Sequence, residues 1–184
     1  MTGRFIAIVG PSGVGKDSVM SALAADYDGY VLARRVITRA PDAGGEDFES
    51  VTLPEFQRRM DAGAFVLHWQ AHGLRYGIAR NILADLDTGH DVLANLSRSM
   101  LPEALKLFRQ GRIVLLTASA AALAHRLTQR GRESAAEITA RLAQATRGIP
   151  EGLDVTILQN DGPLSQTVAA LHRSLQAERA ARCI

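Results

Sequence analysis

Short apolar runs alternate along the whole chain with stretches in which apolar residues recur at helical spacing. Continuous runs of about four to eight apolar residues have the length of buried strands, and recurrence at i, i+3 and i+4 marks a helix with one covered face. This pattern predicts strands at Phe5 to Val9, Tyr30 to Ile37, Phe65 to Trp69, Asp91 to Leu96, Ile113 to Thr117 and Val155 to Leu158. Helices are predicted over Lys16 to Ala25, Pro54 to Ala62, Arg80 to Thr88, Met100 to Phe108, Ala120 to Gln129, Ala135 to Ala145 and Leu164 to Ala177. Gly63, Gly89 and Gly131 stand where helices should stop, and Pro54 and Pro163 where they should start. Strands that are apolar throughout belong to a parallel sheet covered on both faces by helices, so the expected class is α/β. Two stretches break the rhythm, Thr38 to Val51 and Arg130 to Ser134. Loops of that kind cover bound ligands in otherwise rigid α/β enzymes.

Composition narrows the picture. The 184 residues contain no repeat or linker and fit one domain. A single cysteine, Cys183, excludes a disulfide framework and suits a reducing compartment. The first apolar run is too short for a secretory signal or a membrane span, so a cytoplasmic protein is expected. A net charge of +2 without a dense basic block gives no support for nucleic acid or a membrane as partner. Of the 21 basic residues 19 are arginine, the side chain whose planar fork grips phosphate through two parallel hydrogen bonds.

One of the two lysines sits in the motif that carries the chemistry. Directly after FIAIV come Gly10, Pro11, Ser12, Gly13, Val14, Gly15 and Lys16, then Asp17 and Ser18 in a helical pattern. Strand, Gly-rich loop and helix in this order form a phosphate cradle: backbone N–H groups turn inward, the helix adds its positive end, and Lys16 reaches the terminal phosphates of ATP. These nine residues are the expected ATP-binding loop. The hydroxyl that usually serves Mg²⁺ is replaced by Asp17, so either Asp17 binds the metal, directly or through water, or Ser18 does. His68, His72, His90, His125 and His172 are scattered, and no triad or zinc site is visible. A phosphate acceptor is already ionised near neutral pH and needs no general base, which suits a kinase acting on a phosphorylated metabolite.

From this loop onward the chain resembles the guanylate kinase family over nearly its whole length. The segments that carry the resemblance are GPSGVGKD, VITRAP at Val36 to Pro41, EDFESVTLPEF at Glu46 to Phe56, GAFVLHWQAHGLRYG at Gly63 to Gly77, RLTQRGRES at Arg126 to Ser134 and LQND at Leu158 to Asp161. The resemblance implies a P-loop kinase with an ATP-binding core (about 1–37, 83–125 and 148–184), a substrate-binding insertion (about 38–82) and a lid (about 126–147). It implies that Arg39 grips the acceptor phosphate with help from Tyr76, and that Arg126, Arg130, Arg132 and Arg141 close over the transferring phosphoryl. Trp69 is expected in the core and Tyr76 in the site.

Departures from the family pattern bear on the acceptor. Leu67 stands where guanylate kinases place a glutamate, Asn95 and Ser97 where they place an acid, Phe48 for a tyrosine and Asp42 for an arginine. A site without those acids leaves the N–H donors of guanine unpaired. The segments GKDS, ITR, HGLRYG, ANLSRSMLPEA and RGRE followed by EITARL resemble one branch of the family, the ribose 1,5-bisphosphate phosphokinases. That branch implies transfer from ATP to the 1-phosphate of ribose 1,5-bisphosphate. Asn95 is a further candidate substrate contact, and Arg98 is a candidate to meet the acceptor's second phosphate. A nucleoside monophosphate kinase of the guanylate kinase kind is the alternative.

Overall fold

A computed structural model of the chain describes residues 2–41, 47–130 and 148–181. Two sheets organise it. Five parallel strands form the larger, in the order β2 (Tyr30–Leu32), β7 (Asp91–Asn95), β1 (Phe5–Val9), β8 (Arg112–Thr117) and β9 (Val155–Gln159). All five residues of β1 are buried, because both faces are covered. Phe5, Ala7 and Val9 point into one apolar layer; Ile6 and Ile8 point into the other, where α1 (Lys16–Asp26) and α6 (Leu164–Ala180) pack through Val19, Leu23, Leu171 and Leu175. No described helix is long and apolar enough to cross a membrane.

The second sheet has four strands in the order β4 (Phe48–Ser50), β3 (Arg35–Ile37), β6 (Leu74–Ala79) and β5 (Phe65–Ala71). Pairing is parallel between β3 and β4 and antiparallel from β3 through β6 to β5. One face carries Leu67, Trp69, Tyr76 and Ile78 into the same apolar cluster as Phe5 and Ala7 of the larger sheet. On its other face lies α2 (Leu53–Asp61), where Phe56 stacks on Phe65 at 4.7 Å beside Val36. Two short helices, α3 (Ile82–Asp87) and α4 (Leu101–Leu107), add to the shared cluster, and α5 (Ala120–Arg130) follows β8.

Three expectations need correction. The run Tyr30 to Ile37 is two strands, since β2 joins the larger sheet and β3 the smaller, with Ala33 and Arg34 between. Val31 and Leu32 in one half and Val36 and Ile37 in the other are apolar, so hydropathy alone does not reveal the change of sheet. Inside the stretch read as a loop, Phe48–Ser50 pairs with β3 despite its polar sequence, a case of tertiary pairing overriding propensity. Leu74–Ala79 is also a strand, closed onto β5 through His72 and Gly73, both at positive φ (51° and 73°) as a tight hairpin turn requires. The helix expected at 135–145 lies outside the described residues.

Candidate active site

At the carboxyl end of β1 the chain turns through Gly10, Gly13 and Gly15 into α1. The turn is tightly enclosed. A Cβ on Gly10 would stand 2.4 Å from the Leu116 carbonyl oxygen of β8, and one on Gly15, whose φ is +92°, would stand 2.8 Å from Asn160 Nδ2. Asn160 is buried at the end of β9 and holds the loop from the side. Its Nδ2 donates to Val14 O at 2.7 Å, its Oδ1 accepts from Thr167 Oγ1 at 2.8 Å, and its backbone N donates to Thr117 O at 2.8 Å. The loop, β8 and α6 are thus tied together through one residue at the end of β9. The ends of neighbouring parallel strands meet here, where α/β sheets bind ligands.

Lys16 Nζ donates to the carbonyls of Gly10 and Pro11, both at 3.0 Å, which lays the ammonium across the loop. Arg126 on α5 reaches Val14 O through Nη1 at 3.4 Å, so it stands beside the same loop. Next to it Asp161 accepts from Ser119 N at 2.8 Å and from Gln159 Nε2 at 2.6 Å. The Ser119 bond first, and then Gln159, hold its carboxyl below the usual carboxylate range. Asp17, in the first turn of α1, accepts from Asn95 Nδ2 at 2.9 Å, tying the end of β7 to the helix. Asn95 is buried, and Arg98 is half-buried in the short 3₁₀ turn that follows.

These groups fit a hydrated magnesium ion. Such an ion needs only one or two carboxylates beside substrate phosphates and water. Asp17 offers a hard oxygen beyond the one Asn95 engages. Ser18 is exposed. Among the described residues no group of three His, Cys, Asp or Glu side chains is gathered to hold a metal without the substrate.

The acceptor candidates lie on the smaller sheet. Arg39 follows β3 with its guanidinium 5.4 Å from the Phe48 ring centre, and Ser50 Oγ donates to its carbonyl at 2.5 Å. Tyr76 stacks on Trp69 at 5.3 Å with 8° between the rings, and both rings pack against the apolar cluster, which fixes the orientation of the tyrosine. The guanidinium of Arg35 lies 5.4 Å from the Tyr76 ring centre. Leu67, 1% exposed, lies in the same cluster. A cavity of about 570 Å³ opens where β3, β4 and β5 end, lined by Arg39, Ser50, Thr52, Gln70 and Arg75 among others. The P-loop takes no part in its wall; Arg39 alone belongs to both the cavity and the proposed acceptor contacts.

The structure therefore gathers Lys16, Asp17, Asn95 and Arg126 around one loop, with Arg39 and Tyr76 on the second sheet. The Arg130 side chain, Arg132, Arg141 and Asp42 lie outside the described residues. Sequence reasoning did not single out Asn160, Thr167 or Arg35. A buried asparagine leaves no periodic signal; Asn160 entered only as part of LQND, one of the segments that carry the resemblance, without a role of its own.

Residues 2–178 match the family model for guanylate kinase. The chain is 50% identical over 179 residues to ribose 1,5-bisphosphate phosphokinase PhnN of Ruegeria sp. (strain TM1040), covering 97% of this chain and 94% of that protein. Its likeness to the protein of the same name from Pantoea vagans (strain C9-1) is 46% over 175 residues, covering 94% and 97%. Among solved structures it is similar to the guanylate kinase of Anaplasma phagocytophilum, with a TM-score of 0.72 at 20% identity over 96% of this chain and 86% of that one. That likeness concerns the fold.

Proposed function

The chain belongs to the guanylate kinase family and, within it, to the ribose 1,5-bisphosphate phosphokinases, and on that footing we propose that it makes 5-phosphoribosyl 1-diphosphate and ADP from ribose 1,5-bisphosphate and ATP. An oxygen of the 1-phosphate attacks the γ-phosphorus of ATP; the bond from that phosphorus to the β,γ-bridging oxygen breaks, and ADP leaves with its electron pair. The acceptor's second pKa is about 6, so its nucleophilic oxygen is ionised at neutral pH and no side chain has to remove a proton. Catalysis then consists of positioning and charge neutralisation.

In this reading residues 1–37, 83–125 and 148–184 form the ATP-binding core, about 38–82 the acceptor-binding insertion and about 126–147 the lid. Gly10 to Ser18 cradle the phosphates of ATP. Lys16 exchanges its bonds to Gly10 O and Pro11 O for phosphate oxygens. Asp17, oriented by Asn95, would hold Mg²⁺, which supplies positive charge to the phosphate oxygens when bound. Arg39 and Tyr76 receive the 1-phosphate, Asn95 contacts the substrate, Arg98 meets its second phosphate, and Arg126, Arg130, Arg132 and Arg141 enclose the transferring group. The reaction belongs in the cytoplasm, where ATP and phosphorylated sugars meet.

The choice of acceptor rests on Leu67. It is buried and apolar in the face that carries Tyr76, and it offers nothing to the N–H donors of guanine. Unpaired donors of that kind cost two or more orders of magnitude in specificity. With MgATP, kcat/KM for ribose 1,5-bisphosphate should exceed that for GMP by roughly 100-fold or more, and phosphorus NMR should show the sugar diphosphate. Equal or better use of GMP would assign the chain to nucleoside monophosphate kinases instead.

A further inference from the structure

Val14 is fully buried in the P-loop, and its carbonyl oxygen has two donors of unequal kind. Asn160 Nδ2 reaches it at 2.7 Å through a buried bond from the end of β9. Arg126 Nη1 reaches it at 3.4 Å from α5, through a bond that is only part-buried. Because a carbonyl oxygen can only accept, it settles which end of the Asn160 amide faces the loop. The other end, Oδ1, then needs a donor of its own, and Thr167 Oγ1 on α6 supplies it at 2.8 Å. Asn160 and Thr167 are each 4% exposed, so water does not stand in for a lost partner.

A trans peptide is planar, and its C=O and N–H point in opposite directions. Holding Val14 O toward Asn160 therefore turns the N–H of Gly15 away from Asn160. That N–H has no acceptor among the described residues. It is a donor left for a ligand, one residue before α1 begins at Lys16. Turning the same peptide over would exchange the two groups and set a carbonyl oxygen where a phosphate oxygen has to lie.

We propose that Asn160, braced by Thr167, is the positioning residue of the ATP loop: it fixes the Val14–Gly15 peptide with its N–H presented to the phosphates, and it keeps Val14 O satisfied when Arg126 leaves for the transferring phosphoryl. The second half follows from the two distances. If Arg126 were the only donor, its move would strand a buried carbonyl, and that loss would oppose the move. With the shorter Asn160 bond in place the carbonyl stays paired. The proposal rests on the reading of Gly10 to Ser18 as the ATP-binding loop, and it adds to that reading two residues that act through the loop.

Thr167→Val removes the hydroxyl at nearly constant shape, Thr167→Ser keeps it, and Asn160→Ala removes the whole brace; each is assayed in the full chain with MgATP and the acceptor that wild type prefers. Thr167→Val should raise KM for ATP about fivefold and Asn160→Ala about 30-fold, with KM for the acceptor within about twofold. Thr167→Ser should stay within about twofold of wild type in both constants. A merely structural role would lower the melting temperature and the active fraction but leave both Michaelis constants as they are, and that result would overturn the proposal, as would an equal rise in both. Should Asn160→Ala fail to fold, NMR of the wild type decides. On addition of MgADP the Gly15 amide resonance should move downfield as a phosphate oxygen takes up its proton, while the Asn160 side-chain NH₂ protons keep their slow exchange. An unmoved Gly15 amide, or fast exchange at Asn160, would refute it. Since the ATP constants are read with whichever acceptor works, a failed ribose bisphosphate reading does not touch this test. Full turnover by Lys16→Ala would sink the loop assignment and the inference with it, whereas a Lys16 effect without an Asn160 effect sinks the inference alone.

Discussion

Gly15 meets two demands at once, a φ of +92° and an amide nitrogen 2.8 Å from where a Cβ would sit. Gly29 separates them, because its φ is +87° and nothing stands within 4 Å of its missing Cβ. Gly29→Ala should therefore cost only backbone strain, about 1 kcal/mol of stability in urea denaturation, with KM for ATP unchanged. Gly15→Ala adds the collision with Asn160 and should raise KM for ATP by at least about tenfold, since Asn160 also fixes Val14 O. Lys16→Ala should abolish turnover while the melting temperature stays within a few degrees. Its ammonium bonds to half-buried loop carbonyls and fills no place in the apolar core, whereas during transfer it faces developing phosphate charge. At this scale the P-loop glycines and Lys16 were legible, because their chemistry depends on residue type and spacing. Asn160 and Arg35 were not, because what distinguishes them is the neighbour that folding brings from elsewhere in the chain.

Among the elements, α2 has the most self-contained electrostatics. Thr52 caps it by accepting from Glu55 N at 3.3 Å, and Glu55 is gripped by Arg58 and Arg59, with Glu49 of β4 completing the group through Arg59. The Arg58 and then the Arg59 hydrogen bonds lower the Glu55 pKa to about 2. A carboxylate with a depressed folded-state pKa stabilises fully above its unfolded value, and the contribution fades as the pH falls through the folded one. NMR titration should find the Glu55 carboxylate midpoint near 2, and the Arg58→Ala variant should move it up toward the ordinary range. On α5, Arg126→Ala should lower kcat more than it raises KM for ATP if the lid arginines act in the closed transition state. An effect on KM alone would make Arg126 a ground-state contact. Elements buried on both faces, such as β1 and β7, were legible almost to their ends, since their apolar runs have no polar side to blur them. β4 and β6 were hidden, one by its polar residues and the other by a hairpin turning on His72 and Gly73 rather than on a familiar Asn-Gly pair.

Across the whole molecule a single apolar cluster runs from Phe5 and Ala7 through Ile82 and Leu101 to Leu67, Trp69 and Tyr76, so the two sheets share one core. At the end of β1 and β7 opposite the P-loop sits a second device. Arg4 pairs with Asp91 through Nε and Nη2, and its Nη1 donates to Leu175 O of α6 at 2.7 Å, all of it buried. Asp91→Asn would leave the guanidinium underneutralised in the core and should cost about 3–5 kcal/mol of stability in urea denaturation, with kcat within about twofold of wild type. β7 begins at Asp91 and ends at Asn95, so it carries the clamp at one end and the partner of Asp17 at the other, roughly 13 Å apart. Changes separated by that distance act almost independently. A breeder of this enzyme could therefore run two campaigns on the same strands without conflict, selecting for heat tolerance at the Arg4 end and for new acceptors at the Asn95 end, and then combine the winners by simple addition.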